Sequence, residues 1–150
     1  MKISLDQIKQ LRDKTRCSIA DCKEALEQAG GDMDRALKLM VEKGAKILDK
    51  KSHRQTKNGL VASYIHSDKK IGVLLELVCE TDFAAKTDDF QNLGRELTMQ
   101  IAATDPADVK TLLTQPFIKD ESAEVSDLVK EAATKIRENI KINRFCRYQI

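Results

Sequence analysis

Covalent or metal chemistry in this chain would have to be built from two histidines, His53 and His66, and four cysteines at positions 17, 22, 79 and 146. Their spacing builds neither. No Cys-x-x-Cys pair occurs and no cysteine stands at ligand spacing from a histidine, so no metal site is expected. His66 ends an apolar run without a Ser, Cys or carboxylate motif to make it the base of a nucleophile pair, which argues against a hydrolase. Cys22 and Cys79 fall on apolar faces and read as small buried hydrophobes, in keeping with a reducing compartment. Recognition is the chemistry that remains. The stretch that carries it is Cys79-Glu80-Thr81-Asp82-Phe83-Ala84-Ala85-Lys86. Thr81 has the side chain of an N-cap, and Asp82 then falls in the first helical turn, where a carboxylate suits the positive end of the dipole. Phe83 is left at the rim of the structure. It is either a core aromatic near a helix start, the usual fate of Phe, or an apolar group offered to a partner.

This stretch stands where the chain changes period. Ile71, Val73, Leu75, Leu77 and Cys79 share one face of a strand, and Phe90, Leu93, Leu97 and Ile101 recur at helical spacing beyond it. Upstream, Leu60, Ala62, Tyr64 and His66 alternate with Val61, Ser63 and Ile65, and Ser67-Asp68-Lys69-Lys70 gives a hairpin turn. Asp105 with Pro106 opens a helix carrying Val109, Leu112 and Leu113, and Gln115-Pro116-Phe117-Ile118 is a turn with an apolar anchor. Val125, Leu128, Val129, Ala132 and Ile136 form one helical stripe, and Ile140, Ile142, Cys146, Tyr148 and Ile150 share a face of the last strand. Residues 58–150 are therefore expected to be an α+β core, a three-stranded antiparallel sheet packed with helices.

Residues 1–44 read as a bundle of three short helices. Ser4 and Gln7 form a capping box, flanked by Ile3 and Ile8 as a hydrophobic staple. Ser18 caps a second helix that Gly30-Gly31 stops, and Asp32 caps a third that Gly44 is expected to close. Residues 45–57, with Lys46, Lys50, Lys51, His53, Arg54 and Lys57, read as a basic linker.

At 150 residues, with 41% hydrophobic and 33% charged positions, the composition is that of a globular chain with nothing approaching a membrane-spanning run. Aromatics are 4%, Trp is absent and the net charge is +2, so no stacking platform for nucleic acid is expected. The first residues, Met-Lys-Ile-Ser-Leu-Asp, have neither an apolar signal region nor transit-peptide character, and a cytoplasmic protein is expected.

Thr81-Asp82-Phe83 after an apolar strand, followed by Ala84-Ala85-Lys86, resembles the signature of the bacterial elongation factor Ts family, the nucleotide-exchange factors of elongation factor Tu. Other segments match that family in order: Leu11 to Thr15, Asp21 to Leu26, Gly31-Asp32, Tyr64-Ile65-His66, Gln115 to Ile118, Lys135 to Ile140, and Asn143-Arg144-Phe145. The chain departs from it at Arg16-Cys17-Ser18, where a Gly-containing turn is usual, at Ile19-Ala20 in place of a larger Met-Met pair, and at Arg137 where Gly is usual. The resemblance implies a ubiquitin-associated-like N-terminal bundle and a protein without covalent chemistry, metal or cofactor. It further implies that the protein promotes GDP release by inserting Asp82-Phe83, with Thr81, near the magnesium and phosphate site of elongation factor Tu. Arg12, Ile19, Ala20, Lys23, Lys51, His66 and Ile136 match positions that approach the partner, in its GDP-bound and nucleotide-free forms. The single core resembles the short, homodimeric members. The alternative is an adaptor that binds protein through the N-terminal bundle alone.

Overall fold

The computed structural model describes residues 3–15 and 17–150, with the side chains of residues 47 and 48 left out; Arg16, part of the turn that departs from the family, lies outside the described residues. The local caps form as their spacing predicts. Ser4 N–H donates to Gln7 Oε1 at 3.0 Å and Gln7 N–H donates to the Ser4 hydroxyl at 3.1 Å, starting α1 (Leu5–Thr15). Ser18 caps α2 (Ile19–Gln28) by accepting Asp21 N–H, and Asp32 caps α3 (Met33–Lys51) by accepting Arg35 N–H. Between them Gly30 and Gly31 stand at φ 65° and 86°, and Gly31 N–H closes back on the Leu26 carbonyl at 2.9 Å. Leu11, Cys22, Leu26, Ala36 and Met40 form the small core of this bundle.

β1 (Asn58–Ile65) and β2 (Ile71–Cys79) pair antiparallel across a turn in which Lys69, at φ 59°, returns its N–H to the His66 carbonyl. The chain continues through α4 (Asp82–Ala85), α5 (Asp88–Thr104), α6 (Val109–Thr114), a ribbon of β3 (Pro116–Phe117) and β4 (Asp120–Glu124), α7 (Val125–Ile136) and β5 (Lys141–Gln149). The sheet has the order β1-β2-β5, antiparallel throughout. β2 is its central strand. Val73, Leu75, Leu77 and Cys79 face Phe90, Leu93, Leu97 and Ile101 of α5 in the main core, as the two periodicities predict, with Ala132 and Ala133 of α7 beside them. The fold is α+β. Among the described residues, no helix is long and apolar enough to cross a membrane, and no group of His, Cys, Asp and Glu is arranged to hold a metal ion.

Four local expectations are corrected. The third helix does not end at Gly44 but runs on to Lys51, so the start of the basic stretch is helical rather than a linker. Gly44 is buried where α3 crosses α7, and a Cβ there would overlap the side chain of Thr134. The glycine allows close approach between two helices instead of ending one. Downstream of Thr81 there are two helices, because Thr87 accepts Phe90 N–H and caps α5 separately. Asp105 closes α5 in the left-handed conformation, and Asp108 is the residue that caps α6. In β5 the register slips between Glu76 and Leu77, where Arg144 and Ile142 are the paired residues and Asn143 is the extra one. Beyond that bulge Phe145 faces the core, while Cys146, Tyr148 and Ile150 turn away from Ile142.

Candidate functional site

β2 loses its pairing partner at Cys79, opposite Asn58, so the backbone N–H groups that follow need acceptors from elsewhere. One carboxylate supplies them. Glu138 Oε2 accepts Glu80 N–H and Thr81 N–H, each at 3.0 Å, and Glu138 Oε1 accepts the Thr81 hydroxyl at 2.5 Å. Glu80 reciprocates by accepting Asn139 N–H at 2.7 Å, and Arg54 stands 3.5 Å from its other oxygen. Asn58 Nδ2 donates to the Glu80 carbonyl, and the buried Asn139 donates to the carbonyls of Ser52 and Arg54. The Cys79 thiol donates to the Thr81 carbonyl at 3.2 Å. Burial, then the negative charge of Glu138, pushes that thiol up to about 11, so it remains a donor at neutral pH.

Thr81 is the N-cap of α4, accepting Ala84 N–H at 3.2 Å while giving its own proton to Glu138. Ala84 and Ala85 are buried in the main core, and their small side chains let the one-turn helix lie close to the sheet. Asp82 and Phe83 are then on the outer side. Asp82 pairs with Lys86 one turn on at 2.6 Å, both exposed, a contact worth a few tenths of a kcal/mol. Phe83 is 87% exposed, which decides against the core-aromatic alternative.

The remaining predicted residues lie in three places. Ile136 ends α7 half-buried against the main core, and Lys51 ends α3 half-buried, its ammonium donating to the Arg137 carbonyl at 2.6 Å. Arg137 itself, left-handed at φ 64°, extends its guanidinium to Asp21 of α2 at 3.0 Å. The Ser18 hydroxyl, then Lys43, hold the Asp21 carboxyl below the ordinary range, so it is charged opposite Arg137. Ile19, Ala20 and Lys23 are exposed around Asp21, with Lys23 3.8 Å from Glu27, and Arg12 is exposed on α1. A continuous set of bonds thus joins the start of α2, the ends of α3 and α7, and the loop at Thr81. His66 is elsewhere. It sits at the far end of the β1–β2 hairpin, about 23 Å along the strand at ~3.3 Å per residue, with its Nδ1 3.0 Å from the Tyr64 hydroxyl.

Glu80, Glu138, Asn139, Asp21 and Arg137 organise this region, and sequence reasoning assigned none of them that part. Their partners are far away in the chain, so no local spacing marks them; the one visible signal was Arg137 in a segment where the resembling family has Gly.

Residues 80–150 match the family model described as Elongation factor TS. Over the whole chain the protein is similar to the elongation factors Ts of Thermotoga petrophila and Fervidobacterium nodosum, 37% identical to each, covering 97% and 99% of their lengths. It is similar to that of Herpetosiphon aurantiacus at 35% identity, covering 98%. The first of these alignments runs over 193 positions against the 150 residues here, so that relative carries segments with no counterpart in this chain. Motifs read one by one along the sequence are thereby joined by similarity over its full length, and the chain belongs to the elongation factor Ts family of translation elongation factors.

Proposed function

We propose that the protein promotes release of GDP from elongation factor Tu by presenting Phe83 as an apolar wedge, with Asp82 and Thr81 beside it, near the magnesium and phosphate site of the GTPase. The observation that carries this reading is a large apolar side chain, 87% exposed, on a one-turn helix whose cap and inner face are both held. No bond is made or broken in this account. A factor that binds the nucleotide-free GTPase more tightly than the GDP form must weaken GDP by the same coupling, and GTP then displaces the factor. The protein acts in the cytoplasm, without a cofactor or nucleic acid of its own. The exposed Ile19 and Ala20, with Arg12 and Lys23, form a second contact on the bundle, and Lys51 and Ile136 flank the first.

In this reading the protein is a homodimer. Val61, Ile65, Leu74 and Tyr148, all at least half exposed, lie on the sheet face away from α5, an apolar surface that an isologous partner would cover. Since His66 and Phe83 lie at opposite ends of the hairpin, His66 of one protomer would serve the GTPase engaged by Phe83 of the other.

Stopped-flow release of labelled GDP tests the wedge. Burying a Phe side chain is worth ~1.5–3 kcal/mol. Phe83→Ala is expected to lower the maximal rate roughly 10- to 100-fold at ~1.4 kcal/mol per tenfold, with nearly unchanged melting. Asp82→Ala is expected to be milder. Full activity in Phe83→Ala would remove the wedge from the mechanism.

A further inference from the structure

We infer that Glu138 is a positioning residue for the exchange loop: its carboxylate holds Thr81 so that the cap of α4 and the direction of Phe83 are set before the partner arrives. This rests on the reading of Phe83 as the wedge.

A four-residue helix has no stability of its own, because nucleating a turn fixes several dihedrals for one hydrogen bond. Its order is imposed by its neighbours. On the inner side these are the buried Ala84 and Ala85, and at the start it is the Thr81 cap. The Thr81 hydroxyl has one proton and two lone pairs. Donating the proton to Glu138 Oε1 fixes the hydroxyl rotor, which leaves a lone pair aimed at Ala84 N–H. The same carboxylate takes the two consecutive N–H groups of Glu80 and Thr81, which have no strand partner. Hydrogen bonds to an ionised acceptor are about twice as strong as neutral ones. Glu80 closes the circuit by accepting Asn139 N–H, so the 80–81 and 138–139 segments are joined in both directions.

Without Glu138 the loop would have to be ordered on binding. That cost falls on the affinity of the factor for every nucleotide state of the partner, whereas loss of the Phe83 side chain falls on the step at which nucleotide leaves. The two roles therefore separate in a titration. Glu138→Ala is expected to raise the half-saturating factor concentration about tenfold with a maximal rate within about twofold of the parent, the inverse of Phe83→Ala.

The test uses the full chain in four forms: parent, Glu138→Ala, Phe83→Ala and the double variant, each with exchange titration, melting curve and amide hydrogen exchange. Ala84 N–H is expected to exchange at least tenfold faster in Glu138→Ala, and the double variant is expected to combine the raised half-saturation of Glu138→Ala with the lowered maximal rate of Phe83→Ala. Glu138→Gln keeps an acceptor for the two N–H groups but loses the anion opposite the Thr81 hydroxyl. It is expected to fall between parent and Glu138→Ala, and it supplies the measurement if the alanine variant does not fold. Unchanged Ala84 protection, or a Glu138→Ala variant whose half-saturation stays at the parent value, would overturn the assignment. Full exchange by Phe83→Ala would instead refute the wedge, while Ala84 protection would still report whether Glu138 holds the loop.

Discussion

Gly44→Ala separates the two roles a glycine can have near a helix end. Were Gly44 a helix stop, alanine would extend a helix that ends there. Were it only an interior helix residue, alanine would stabilise by ~0.5–1 kcal/mol through propensity. At the crossing of α3 and α7, however, the new methyl would overlap Thr134 Oγ1, with Thr134 Cγ2 at 2.9 Å and Cβ at 3.1 Å. Thr134 has little freedom to retreat, because its hydroxyl donates to the Lys130 carbonyl at 2.8 Å. Overpacking of this kind costs ~1–3 kcal/mol, so the net expectation is a loss of up to ~2.5 kcal/mol, or as much as several degrees in melting point for a chain of this size. Thr134→Ala in the same chain removes Oγ1 and Cγ2 and leaves the Cβ contact at 3.1 Å, which small movements accommodate. The double variant is therefore expected to recover most of the loss, with a favourable coupling of ~1 kcal/mol in a double-mutant cycle by urea denaturation. Stabilisation by Gly44→Ala alone, or additive behaviour with Thr134→Ala, would refute the close-approach account.

Two further outcomes follow from the cysteines and the open face of the sheet. The unfolded Cys79 thiol ionises near 9.0 and the folded one near 11, so the unfolded chain gives up its proton first; stability present below pH 9 falls as pH rises through 11. The drop in melting temperature between pH 8.5 and about 10.5 should be shallower in Cys79→Ala, and an identical drop would show that this thiol does not contribute. In the proposed dimer the exposed Cys146 lies on the covered face while Cys17, Cys22 and Cys79 are buried, so native thiol titration should give one reactive group that becomes protected as protein concentration rises. A monomer in sedimentation at micromolar concentration, with Cys146 equally reactive at all concentrations, would count against the dimer.

The features legible in the sequence are those decided within four residues. The capping box at Ser4, the caps at Ser18, Asp32 and Thr81, and the inner face of β2 all form as read, because each depends on neighbours three or two positions away. Where two local rules competed, distant packing chose between them. Gly44 fits a helix stop as well as a close crossing, and Thr134 decides for the crossing. Asp105 and Asp108 are both capable caps; the left-handed turn at Asp105 makes it the end of α5 and leaves the start of α6 to Asp108. On β5 strict alternation fails because it cannot anticipate one inserted residue, Asn143, which turns Cys146, Tyr148 and Ile150 away from the core.

The same distinction explains why Phe83 was visible and its support was not. A Phe next to a capped helix start, followed by two alanines, is a local pattern: the alanines are small enough to bury against the sheet, so the larger side chain is the one left outside. What holds the start of the helix that carries Phe83 is a carboxylate at position 138, far along the chain and brought to Thr81 only when α7 ends and the chain turns into β5. Arg137 makes that turn by adopting the left-handed conformation at a cost of ~1–2 kcal/mol relative to Gly, while its guanidinium reaches Asp21 and its carbonyl accepts Lys51. A glycine there would turn as well and its carbonyl would still accept Lys51, but the ion pair to Asp21 would be lost. The turn that delivers Glu138 to the Thr81 loop is thus also one of the points at which the N-terminal bundle is tied to the core, beside the crossing of α3 and α7 at Gly44 and Thr134.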